Sequence, residues 1–186
     1  MGMNFYRKVF HLFFGVFLWG LSYVLSYKTF SWVLVGLLIA SSLFEILRLF
    51  LYDYLPLKRI WIPLLKKEEF YKISDGWFYL VGITCLYGLV GIQDFRLVVL
   101  VLTLADPMAS LVGFYIGRIK VFSGKTLEGG VTFLLITLFI VYTVKRSLTL
   151  VDIGFSTLLA FTELLTKRDN FWIPLIGGLY LRYFKG

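Results

Sequence analysis

Of 186 residues, 59% are hydrophobic, mean hydropathy is +0.84, and 19 Lys and Arg stand against 11 Asp and Glu, a net charge of +8. A soluble core of this size does not use so many apolar residues, so the composition excludes a soluble domain and predicts an all-α polytopic membrane protein. The positive balance then points to anionic headgroups and cytoplasmic loops, with no nucleic acid as partner.

Seven apolar stretches are legible, at about 9–27, 30–47, 77–92, 97–117, 128–144, 150–165 and 171–184. They predict about seven transmembrane helices in a single transmembrane domain covering 1–186. The shortest fall below the roughly 20 residues a bilayer requires, so some helices must extend past their apolar run or border protein-lined water. The first stretch follows Arg7 and Lys8 and ends in Tyr23, Leu25 and Tyr27 rather than small residues, which predicts an uncleaved span. His11 stands four residues after Arg7, on the same helical face, as a candidate proton acceptor or a histidine satisfied by a neighbouring helix. Glu45 and Arg48, three apart, have the spacing of a structural ion pair.

Residues 50–75 mix Pro56, Trp61, Pro63, Leu64, Leu65 and Phe70 with Lys58, Arg59, Lys66, Lys67, Glu68 and Glu69. This predicts an amphipathic segment at the membrane interface. The single cysteine, Cys85, lies in an apolar run and excludes an internal disulfide. With the N-terminus in the cytoplasm, thirteen of the nineteen basic residues fall on the inner side, and Lys28, Arg96, Lys145, Arg146, Arg182 and Lys185 on the outer. That asymmetry predicts a cytoplasmic N-terminus and a cytoplasmic loop 118–127.

The chemistry concentrates in Ala105 to Gly130, ADPMASLVGFYIGRIKVFSGKTLEGG. Asp106 lies halfway along an apolar run, where an ionised carboxylate must be paired, protonated or bound to a cation. Pro107 disfavours helix at Asp106, and Asp-Pro is a common helix start, so the fourth span is predicted to break there. Beyond it come Gly113 and Gly117, then Lys120, Gly124, Lys125, Glu128, Gly129 and Gly130. Mg²⁺ takes one or two carboxylates and fills its shell with water and phosphate oxygens. Lysines neutralise phosphate, and glycines let backbone N–H groups approach it. Gly113 and Gly117, four apart, equally suit a helix-packing face. The Gly124-Lys125-Thr126 run is not a P-loop, since Ile119 stands where its first glycine belongs. If residues 106–117 are helical, Asp106 lies roughly 16 Å below Gly117, deep for a nucleotide unless a water-filled cleft reaches it. Near the C-terminus, Asp169 could cap the last helix or bring a second carboxylate to the metal.

Five blocks resemble the CTP-dependent polyprenol kinases, a family that includes dolichol kinase, phytol kinase and the yeast-type diacylglycerol kinase. They are RKVFH at Arg7 to His11, FEILR at Phe44 to Arg48, ADPMASLVGFYIGRIK at Ala105 to Lys120, GKTLEGG at Gly124 to Gly130, and Glu163 with DNFWIP at Asp169 to Pro174. Family members typically have Gly before the central Asp, where this chain has Ala105. The resemblance implies a cytoplasmic CTP and Mg²⁺ site lined by Asp106, Lys120, Lys125, Glu128 and Asp169. The candidate metal ligands are then Asp106, Glu128 and Asp169, and Gly113, Gly117, Gly129 and Asn170 join the lysines and Glu128 as candidate nucleotide-binding residues. Asp106, Asp169 and His11 are the candidates for catalysis.

The reading is a membrane kinase that moves the γ-phosphate of CTP to the hydroxyl of a lipid alcohol: a polyprenol, a phytol-like alcohol or a diacylglycerol. Its rivals are a small ion or solute transporter using Asp106 on a broken helix as coupling-ion site, and another CTP or CDP-lipid transferase. The CDP-alcohol phosphotransferases need a repeated Asp cluster that is missing here.

Overall fold

The structure is a computed structural model that describes residues 5–122 and 124–184; Lys185 of the predicted outer set lies outside them. The described residues are almost entirely helical. The long helices are α1 (Phe5–Val24), α2 (Tyr27–Phe50), α4 (Asp75–Leu89), α5 (Ile92–Tyr115), α6 (Leu127–Lys145), α7 (Leu150–Leu165) and α8 (Asp169–Phe184), and the four-residue α3 (Lys58–Trp61) is one of the short turns between α2 and α4. Each long helix coincides with one predicted apolar stretch. Three of them, α2, α5 and α6, are long and apolar enough to cross a membrane, whereas α4, α7 and α8 have only 15 or 16 residues.

Short connections force up-and-down packing. Ser26, Ser74, Thr126 and Thr149 each cap a helix start by accepting from the backbone N–H three residues on, which satisfies donors that have no partner inside the helix. At one end Arg96 of α5 bonds Ser22 of α1 and stacks on Tyr23, and Lys145 of α6 pairs with Asp152 of α7. The opposite end gathers the start of α1, the end of α2 and the starts of α4, α6 and α8.

Helix α5 is the axis of the bundle. It packs on α1, α6 and α8, and Phe95, Val98, Val99, Leu102 and Ala105 are wholly buried. A helix apolar all round is suited to that position. The predicted break at Asp106-Pro107 is absent: α5 runs unbroken from Ile92 to Tyr115 with Pro107 inside it. Packing from α1 and α6 holds the chain helical where local preference opposes it, and inside an apolar bundle neighbouring helices re-satisfy the backbone group a proline releases. Outside the core, Phe13, Trp32 and Phe139 are each about two-thirds exposed on the flanks of the bundle. Cys85 is exposed too.

Residues 51–74 form a chain of short turns, Tyr52–Tyr54, Lys58–Trp61, Ile62–Leu64 and Lys67–Tyr71. Arg48, wholly buried, ties them down: it donates to the carbonyls of Glu69 and Lys72 and forms the ion pair with Glu45 that the spacing predicts. Glu45 in turn accepts from Ser74, the cap of α4. Glu69 accepts the backbone N–H groups of Lys66 and Asp75, although burial pushes its carboxyl above the usual range. One buried arginine therefore joins α2, the segment and α4.

Candidate functional site

Asp106 sits nine residues before the end of α5, roughly 14 Å along the axis from Tyr115, and is almost wholly buried. Four other elements bring polar groups down to it. The Nζ of Lys8, in the first turns of α1, lies 2.7 Å from its Oδ2. Glu163, at the end of α7, and Asp169, at the start of α8, present carboxylate oxygens within 4.8 Å of one another and of an Asp106 oxygen. Lys125, from the loop before α6, reaches Asp169 at 2.8 Å and Glu163 at 3.0 Å.

Lys125 gets there because its loop is a small hairpin. Val121 donates to the carbonyl of Lys125, Leu127 donates to that of Ile119, and Gly124 takes a left-handed φ of 82°. Burial works against the Lys125 ammonium, but Asp169 and then Glu163 outweigh it and raise its pKa. The charge of this lysine therefore persists at neutral pH and is given up only above its ordinary range.

The glycines serve packing and access together. A Cβ on Gly113 would meet Thr126 Oγ1 at 2.8 Å, and one on Gly129 would meet the Ala109 carbonyl at 2.9 Å. Alanine at 129 is expected to force α5 and α6 apart at a cost of about 1–3 kcal/mol. Alanine at Gly36, where nothing lies within 4 Å, serves as the control, and thermal unfolding of the two variants in detergent compares them.

Two cavities converge on the acids. The first, about 430 Å³, opens between α5, the hairpin and α7 and is lined by Gly113, Gly117, Lys120, Lys125, Gly129, Glu163 and Lys167. It is the cleft that reaches Asp106 from the bundle end. The second, about 290 Å³, lies between α1, α2, α4 and the 51–74 segment, with Phe10, Phe14, Phe44, Trp61, Leu64 and Trp77 in its wall. Arg7, Lys8, Lys66, Asp106 and Asp169 border both.

Of the predicted site residues, Asp106, Asp169, Lys120, Lys125, Gly113, Gly117 and Gly129 all line the polar cleft. His11 borders the apolar cavity instead, its Nε2 3.3 Å from the Leu102 carbonyl and its ring edge-on to Tyr79. Asn170 also lines the apolar cavity, with its Oδ1 buried and unbonded. Glu128 departs from the predicted metal set. Its carboxylate turns back to accept from the backbone N–H groups of Arg118 and Ile119, at 2.9 and 3.2 Å, and it is not a member of the acid cluster. A residue in the first turn of α6 finds those loop donors nearer than the buried acids. Glu163 takes the third place.

The donor set fits a small hard cation. Three carboxylates converge, and Glu163 Oε2 is buried without a hydrogen-bond partner, the arrangement that Mg²⁺ with its preference for oxygen ligands would satisfy. Sequence reasoning placed none of Lys8, Arg7, Lys66 and Glu163 in the site. A basic side chain at the start of an apolar helix needs an acid when buried; that signal was available for Lys8, although it names no partner.

No protein-family model matches the chain, and no solved structure matches it. A protein of Methanocaldococcus jannaschii, described only as uncharacterized, is 28% identical over 188 aligned positions, which cover 96% of this chain and 92% of that protein.

Proposed function

We propose that this chain is an integral membrane kinase that transfers the terminal phosphate of a nucleoside triphosphate, CTP on the resemblance, to the hydroxyl of a lipid alcohol, with all seven long helices in the bilayer and the site at the cytoplasmic face. The observation that carries this reading is the meeting of a polar, cation-lined cleft and an apolar cavity at one cluster of three acids. A phosphate donor and a greasy acceptor need such separate compartments with one shared wall.

The cleft carries six cationic side chains, Arg7, Lys8, Lys66, Lys120, Lys125 and Lys167, against Asp106, Glu163 and Asp169. That excess suits a polyphosphate. Asp106, Glu163 and Asp169 would hold Mg²⁺, and the chemistry it would supply there is neutralisation of phosphate charge. In this reading the acceptor chain would occupy the cavity walled by Phe10, Phe14, Phe44 and Trp61, with its hydroxyl toward Asp106 and Asp169, which border the same cavity. Asp169, which like Asp106 borders both compartments, accepts the hydroxyl proton, while His11 lines the apolar cavity. Phosphoryl transfer depends mainly on positioning and charge cancellation, so these groups suffice. The transporter reading relied on a broken helix, and α5 is unbroken. The 51–74 segment, with its apolar and basic side chains, would lie on the inner leaflet.

Lys125→Ala is expected to weaken CTP binding by at least tenfold, since the loss of a charged hydrogen bond costs about 1.5–3 kcal/mol. Lys28→Ala, an exposed cation at the far end of the bundle, should leave it unchanged. Equal affinities by equilibrium dialysis in detergent would remove the nucleotide cleft from this reading, and labelled CTP with phytol, polyprenol and diacylglycerol tests transfer itself.

A further inference from the structure

Three cations border both cavities, and two of them are already committed elsewhere. Arg7 lies 2.9 Å from Asp75, and Lys66 bonds the same carboxylate, so this pair ties α1 and the 51–74 segment to the start of α4. Lys8 differs. Its partner is Asp106, a member of the acid cluster itself, and its side chain lines both the polar cleft and the apolar cavity. A phosphate moved from a donor in the first compartment to an acceptor in the second comes within the surroundings of a side chain that both share.

We propose that Lys8 is a catalytic residue that contacts the phosphate in transfer, an inference that rests on the kinase reading above. When Asp106 serves a divalent cation it no longer neutralises Lys8 fully, which leaves the ammonium able to donate to a terminal phosphate oxygen of the donor. In the transfer step the bond from the terminal phosphorus to its bridging oxygen breaks, and the nucleoside diphosphate leaves with the electron pair. The bond from that phosphorus to the alcohol oxygen forms, and the alcohol proton goes to Asp169 and then to solvent. Lys8 donates throughout to a non-bridging oxygen of the moving group, where negative charge is spread in the transition state. Because it touches only the transferred phosphate, it adds nothing to the binding of a nucleoside diphosphate.

The test measures CDP affinity, affinity for a non-hydrolysable CTP analogue, and single-turnover transfer from CTP to a lipid alcohol in wild type, Lys8→Met and Lys8→Arg. Lys8→Met should transfer about 100-fold more slowly, bind CDP as wild type does, and lose the preference for the triphosphate analogue over CDP. Lys8→Arg keeps a charge on Asp106, and so keeps the fold if the Met variant loses it. Its guanidinium has a different reach, so it should bind CDP normally and transfer at least tenfold more slowly. Wild-type transfer in whichever variant is folded, or a parallel loss of CDP affinity, overturns the role of Lys8. A wild-type chain that binds no nucleotide and phosphorylates no alcohol overturns the kinase reading itself, a result distinct from either.

Discussion

Asp106→Asn is expected to reduce phosphate transfer by orders of magnitude and, at the same time, to lower stability. The first effect follows from the loss of the charge a hard cation requires, with the size and shape of the side chain kept. The second follows from Lys8. Asp106 and Lys8 are a buried pair at 2.7 Å, and removing one partner of such a pair commonly costs about 3–5 kcal/mol because the other charge is left without compensation. Lys8→Met in the same chain should therefore recover much of the lost stability and none of the activity. Thermal unfolding without metal and turnover at saturating Mg²⁺, measured on one preparation of each variant, separate the two effects. If Asp106→Asn keeps near-normal turnover in a folded protein, the metal role falls. If the double variant is no more stable than the single one, the pairing with Lys8 contributes nothing.

Arg48→Leu should have the largest purely structural effect. Its guanidinium satisfies Glu45 and the carbonyls of Glu69 and Lys72 with no exposure of its own, so substitution strands one buried carboxylate and two carbonyls. The cost is again about 3–5 kcal/mol, and it falls on the segment that walls the apolar cavity. Limited proteolysis should then cut within 51–74 faster than in wild type. Unchanged proteolysis would mean that the apolar side chains of the segment hold it without the arginine.

Much of the architecture was legible because one physical signal, continuous apolar character, governs helices in a bilayer and ignores details of packing. The seven stretches, the Glu45 and Arg48 pair and the cluster of lysines and glycines after Asp106 all follow from local spacing. Local spacing also misled. Pro107 next to Asp106 has the character of a helix break, yet α5 is enclosed by α1, α6 and α8 and stays helical there. Glu128 has the right chemistry for a metal ligand, but two backbone donors lie closer to it than the other acids do.

What the sequence by itself determined was the all-helical class, the positions of the seven long helices and the presence of an acid that demands a partner at mid-helix, since each depends on composition or on residues a few positions apart. Only the tertiary structure decided which partners that acid has. Lys8 is 98 residues from Asp106 along the chain, and Glu163 and Asp169 come from helices beyond α6. Their meeting depends on how α1, α7 and α8 lean against α5, a matter of side-chain packing over the whole bundle that no local pattern encodes. The two cavities, and the wall of Lys8, Asp106 and Asp169 between them, exist only once those helices are in place.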